Sequence, residues 1–173
     1  MITEKGAIKT EAVFDDSRNH RFLLKRTWNK DKKKVCVIML NPCHADTIMH
    51  DTTSYLVSNN TARLDFGEVS IVNLFSVITS KLDFKNNKPE DLNAQENDTF
   101  IKKTANEADV IVLGWGKGVT SNQRILERVD EVMLLLQDCA EKLCVISDGE
   151  RKNLHPLTPS VRGGWQLVPY ASE

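Results

Sequence analysis

Four apolar runs constrain this chain more than any other feature. Val35-Cys-Val-Ile-Met-Leu40 contains no side chain that seeks water, and Val69–Phe75, Asp109–Gly114 and Lys142–Ser147 are nearly as apolar. A strand without polar alternation is covered on both faces, as at the centre of an α/β sheet. Helical signals separate the runs. Asp51 is an N-cap residue ahead of a segment reaching about Leu64, and Asn93–Asn106 follows a polar loop over 79–92. From near Ser121, residues Ile125, Val129, Val132, Met133 and Leu136 recur at helical spacing and form one core-facing stripe. Residues 11–15 and 21–27 read as an entry hairpin, and a short tail runs through Trp165–Val168. The βαβα order predicts an α/β fold. It is expected to be three-layered, α/β/α, with a mostly parallel central sheet of four to five strands. One domain is expected over 1–173, with 1–20 a peripheral strand or flexible start.

Composition narrows the function classes. Across 173 residues, 23 Lys and Arg balance 24 Asp and Glu for a net charge of -1, which excludes a strongly basic nucleic-acid-coating chain. No run approaches the roughly 20 apolar residues of a membrane span, and the charged start MITEKGAIKTEAVFDD has no apolar signal core. A cytoplasmic protein without a membrane partner is expected. Cys36, Cys43, Cys139 and Cys144 form no C-x-x-C pair, so a zinc ribbon or thioredoxin-type motif is excluded. Cys36 and Cys144 lie in strand-like runs and read as buried thiols of a reducing compartment.

The polar motifs fall where apolar runs end, and parallel sheets bind ligands beyond the carboxyl ends of their strands. Asn41-Pro42-Cys43-His44 closes the first run. Proline holds Asn41 extended, so its amide either projects into a cleft or forms a turn. His44, Asp46, His50 and Asp51 follow, with one carboxylate a candidate general base and Asp51 equally a helix cap. Their spacing matches no metal pattern, and no metal or cofactor is expected. Asn73 stands inside an apolar strand, where an unpartnered amide costs roughly 1–3 kcal/mol, so it is satisfied structurally or turned to a ligand. Gly114-Trp115-Gly116-Lys117-Gly118 permits close approach of backbone to a ligand or makes a tight turn, and it is neither a Walker loop nor a dinucleotide fingerprint. His155-Pro156-Leu157 stands in a loop with Arg151, Lys152 and Arg162, where a histidine stabilises a developing anion or serves structure alone.

Taken together, Arg26-Thr-Trp28, Met39-Leu-Asn-Pro42, Ala45-Asp46, Asp51-Thr-Thr53, Val72-Asn-Leu-Phe75, Gly114-Trp-Gly116 and His155-Pro-Leu157 resemble the bacterial and phage family called domain of unknown function 1643. Cys43 replaces the serine of that family's MLNPS element. More distantly, the landmarks are similar to those of the uracil-DNA glycosylase superfamily. Asn41-Pro42 matches its water-positioning Asp/Asn-Pro, Asn73 its base-reading Asn, Trp115-Gly116 its Trp-Gly strand end, and His155-Pro156 its His-Pro-Ser loop, whose Ser is missing here.

That resemblance implies a uracil-DNA glycosylase-like fold and hydrolysis of an N-glycosidic bond to a nucleobase, as in DNA repair. His155 donates to the departing base, Asn73 reads its edge, and Asn41 orients water with help from Asp46, Asp51 or His44. Pro42, Cys43, Phe75, Trp115, Gly116 and Leu157 contact the substrate, and Lys117, Arg151, Lys152 and Arg162 hold phosphates. The partner expected is DNA or a nucleotide, and the chain is expected to be a monomer. Two other readings stay open: a noncatalytic nucleic-acid or nucleotide-binding module, and a phage or host-defence interaction protein.

Overall fold

Each apolar run becomes a strand with both faces covered. In the computed structural model, which describes residues 1–171, seven strands form one sheet. They are β1 (Lys9–Phe14), β2 (Arg21–Thr27), β3 (Lys34–Met39), β4 (Glu68–Asn73), β5 (Val110–Leu113), β6 (Leu143–Ser147) and β7 (Gln166–Pro169), in the order β1-β2-β4-β3-β5-β6-β7. The helices are α1 (Thr52–Arg63), the single turn α2 (Pro89–Leu92), α3 (Asn97–Glu107) and α4 (Gln123–Leu135). Alternation along β3 shows why the run is continuous. Cys36 and Ile38 pack toward α3 and α4 with Ile101, Ala105, Ile125 and Val132. Val35, Val37 and Met39 pack toward Val57 of α1 and toward Leu154, Val161 and Trp165 of the segment before β7. The second covering layer is thus one helix completed by irregular chain.

The α/β class holds, whereas the mostly parallel sheet of four to five strands does not. Pairings β4–β3, β3–β5 and β5–β6 are parallel. Pairings β1–β2, β2–β4 and β6–β7 are antiparallel. The reason lies in the connections: a parallel neighbour needs a crossover of about a dozen residues or more, usually a helix. The link from β1 to β2 is a short turn, and the one from β6 to β7 carries only the 3-10 turn Pro159–Val161. The first 20 residues contribute edge strand β1, and the final two residues of the expected domain lie outside those described.

Strand order makes β3 the point of departure for both halves of the parallel core. Through α1 the chain moves to β4 on one side, and through α3 it returns to β5 on the other. Beyond the carboxyl ends of such strands lies the usual ligand crevice of an open α/β sheet.

Candidate functional site

A cleft of about 290 Å³ opens there, lined by Asn41 and Cys43 after β3, Asn73 at the end of β4, His155 and Leu157 after β6, Asp51, Thr53 and Ser54 at the start of α1, and Arg21 of β2. That volume is at the low end of the roughly 300–1,000 Å³ of small-molecule sites. Asn73 is 1% exposed and its Oδ1 is buried without a hydrogen-bond partner. Asn41 is partly committed: its Nδ2 donates to Thr79 O at 2.6 Å and Pro42 O at 3.1 Å, while no donor among the described residues reaches its Oδ1. Thr79 N also donates to Pro42 O, so the turn after β3 and the loop after β4 are stapled together.

His155 is held in one tautomer. Its Nδ1 accepts from Leu157 N at 3.1 Å, which leaves the proton of the neutral ring on Nε2. Burial holds its pKa below the ordinary histidine value, so the ring is a neutral N–H donor at pH 7. Its loop is placed by Leu154 N donating to Ile146 O and by Asp148, whose carboxylate accepts from Ser160 and Arg151 and is held well below the usual carboxylate range by those bonds. Gly116 abuts it from β5. At φ +71° and ψ -176° this residue occupies a region that is essentially glycine's own, and a Cβ there would meet His155 Cβ at 2.8 Å. The glycine therefore makes room for the histidine rather than for a ligand.

Two arginines join the site that the sequence does not place there: Arg21, which no motif marks, and Arg26, marked only within Arg26-Thr-Trp28. Arg21 is 3% exposed and lines the cleft. One Nη donates to Ala45 O at 2.8 Å, and its Nε is buried without a partner. Burial pulls its pKa down to about 10, with the charge of Asp51 opposing, so it remains protonated at pH 7. Arg26, 2% exposed, lies beneath α1, contacting His50 Nδ1 at 2.8 Å and Ser58 Oγ at 3.1 Å, with its own Nε unpartnered. Burial and Arg26 hold the His50 pKa low, with Asp51 opposing. Among the described residues no carboxylate lies within ion-pair distance of either guanidinium.

The bulge between β1 and β2 aims Arg21. Val13 pairs with Leu23 and Phe14 with Arg21, so Phe22 is the extra residue. It stacks on Phe100 of α3 at 5.2 Å and leaves Arg21 on the side of Leu24 and Arg26.

Other candidate residues are distributed more widely. Asp51 lines the cleft and also caps α1, its Oδ1 accepting from Ser54 N at 2.7 Å. Asp46 lies outside the lining. Its Oδ1 accepts from Met49 N and Ile48 N, which hold its pKa low. His44 is exposed, with Nδ1 3.0 Å from Cys43 Sγ, and Pro42 is buried behind the turn. Phe75 turns to the other face, edge-on to Phe84 at 5.6 Å, and Trp115 packs into the α3–α4 core. Lys117 and Lys152 are exposed. Arg151 is spent on Asp148 at 2.7 Å, and Arg162 Nε on Leu157 O at 2.8 Å. Cys36 is buried as expected, Cys144 is half-buried, and all four cysteines are free. Among the described residues no three His, Cys, Asp or Glu side chains are grouped to hold a metal ion, and no helix is long and apolar enough to cross a membrane.

Fold and cleft define an α/β protein with a polar crevice at the carboxyl ends of its parallel strands. The chain belongs to the family described as Protein of unknown function (DUF1643), whose model matches residues 21–157 and so takes in both arginines and the histidine loop. No curated protein matches it. Among solved structures, a hetero-hexameric glutamate dehydrogenase from Thermus thermophilus in its Leu-bound form aligns at 13% identity and TM-score 0.28, over 93% of this chain and 35% of that one. The chain thus spans about a third of that protein, and the likeness is too slight to argue from.

Proposed function

We propose that the protein hydrolyses an N-glycosidic bond to a nucleobase, in DNA or in a nucleotide, with a cleft resembling that of uracil-DNA glycosylases. The observation that carries this reading is that Asn41, Asn73 and His155, from three separate strand ends, line one small cleft. A planar base offers carbonyl and N–H groups along its edge. Asn73 presents the matching amide, with an acceptor already stripped of water and unpaired. As the C1′–N bond breaks, its electron pair moves to the base, and a neutral His155 Nε2–H hydrogen-bonds the negative charge forming on a base carbonyl. The water oxygen bonds to C1′. Asn41, with Nδ2 engaged, retains Oδ1 as an acceptor that orients this water, and Asp51 is the carboxylate in the lining that takes its proton and returns it to the released base. Phe75, Trp115, Asp46 and His44 have no part in this reading because they stand outside the lining.

The test is a panel of labelled oligonucleotides carrying uracil, mismatches and modified bases, scored by cleavage at abasic sites, beside free nucleotides scored by release of base. Activity lost in Asn73→Ala and His155→Ala but kept in Lys5→Ala, an exposed residue away from the cleft, supports the reading. No product from any substrate sinks it. One observation favours a second reading, nucleotide binding without turnover: Asp51 already caps α1, and Asn41 already clamps Thr79.

A further inference from the structure

We infer that Arg21 is a phosphate-binding residue of the cleft and that its ligand is a mononucleotide rather than a base within a duplex. This rests on the nucleobase reading above for the identity of the ring, but the anion site stands on its own geometry. Arg21 is nearly inaccessible, and the only hydrogen bond of its guanidinium among the described residues is to Ala45 O. A guanidinium out of water is stable when its donors meet an anion in fork geometry, and here Nε and one Nη have no partner among the described residues. Asp51, the carboxylate whose charge acts on it, is not within ion-pair distance and is tied to Ser54. The cleft, about 290 Å³ in volume, is therefore lined by a desolvated cation with unpartnered donors beside an amide with an unpartnered acceptor.

The outer surface argues for a small ligand over a polymer. A duplex is gripped by several exposed cations on successive phosphates. Of the four cations expected to hold phosphates, Arg151 is neutralised by Asp148, Arg162 bonds to its own loop, Lys117 and Lys152 are exposed, and none lines the cleft, whereas Arg21 does. A phosphate carried by the ligand itself reaches an interior arginine.

Calorimetric titration tests this with the intact chain and four probes: nucleosides, their 5′-monophosphates, inorganic phosphate, and an oligonucleotide duplex. The expected result is that one monophosphate binds about ten- to a hundredfold more tightly than its nucleoside. That advantage is expected to vanish in Arg21→Met and to return only in part in Arg21→Lys, which restores charge without the fork. Equal binding of nucleoside and monophosphate to the unsubstituted chain overturns the inference without any variant, so a folding defect in Arg21→Met does not rescue it. An advantage that survives Arg21→Met overturns it as well. Binding of the duplex alone overturns it while leaving the nucleobase reading intact. Arg21-dependent binding of inorganic phosphate with no preference for any nucleotide supports the anion site and removes the nucleobase reading. No binding of any probe overturns both.

Discussion

Arg21 and Arg128 are both buried arginines, 3% and 6% exposed, and they are built in opposite ways. Arg128 on α4 sends Nε to Leu74 O at 2.8 Å, one Nη to Glu131 at 2.9 Å, and both Nη groups to Asp98. Burial works against its charge, but these partners outweigh burial and hold its pKa above the ordinary arginine value. Arg21 has one carbonyl and a pKa drawn down to about 10. Arg128 ties α3 and α4 to the end of β4, whereas Arg21, on the other side of the sheet, keeps its donors open. A cation whose bonds close within the fold belongs to the fold, and one whose bonds stay open awaits something else.

Stability measurements can break this contrast. Arg128→Met is expected to give the largest loss, about 2–4 kcal/mol in urea unfolding, because it frees Leu74 O and strips Asp98 of its partner. Gly116→Ala comes next at about 1–3 kcal/mol, from the strained φ and the contact with His155, and it is expected to weaken ligand binding as well. Asn41→Asp is expected to lose about 1–2 kcal/mol, since a carboxylate oxygen would face the Thr79 and Pro42 carbonyls now met by Nδ2. Arg21→Met is expected to lie within about 1 kcal/mol of the parent, because the lost bond to Ala45 is offset by removing an unpaired buried charge. If Arg21→Met proves as damaging as Arg128→Met, the distinction fails.

Titration gives the smallest effect. His155 and His50 have pKa values lowered in the folded chain, so the unfolded chain binds more protons as the pH falls below about 6.5. Their contribution is complete above that value and is lost as the pH drops through the folded values. Melting between pH 5 and 7.5 is expected to show this loss, and His155→Gln is expected to flatten it in part.

The sequence exposes Asn41, Asn73 and His155 because each interrupts or follows an apolar strand, where a polar side chain needs a reason. It exposes the central strands and α1, α3 and α4 on the same ground of periodicity. The burial of Arg21 and Arg26 escapes it, although Arg26 stands in a family motif, because nothing local to the entry hairpin announces the bulge and the overlying α1 that cover them. The antiparallel additions escape it because nothing local tells a hairpin at a sheet margin from one standing apart. Phe75 and Trp115 are visible as aromatics near strand ends, but the turn that carries them to the α3–α4 side is tertiary.

Register in the entry hairpin has a consequence for how this family can vary. Phe22 is a single supernumerary residue in a marginal ribbon: were it to take an ordinary place opposite Phe14, the pairing would slip by one and position 21 would cross the sheet, carrying its guanidinium away from the crevice. Register is therefore constrained in a stretch where slippage would ordinarily be harmless. Such a slip would empty the crevice of its cation and unstack Phe22 from Phe100, while the pairing of β2 with β4 from Leu24 onward stayed as it is.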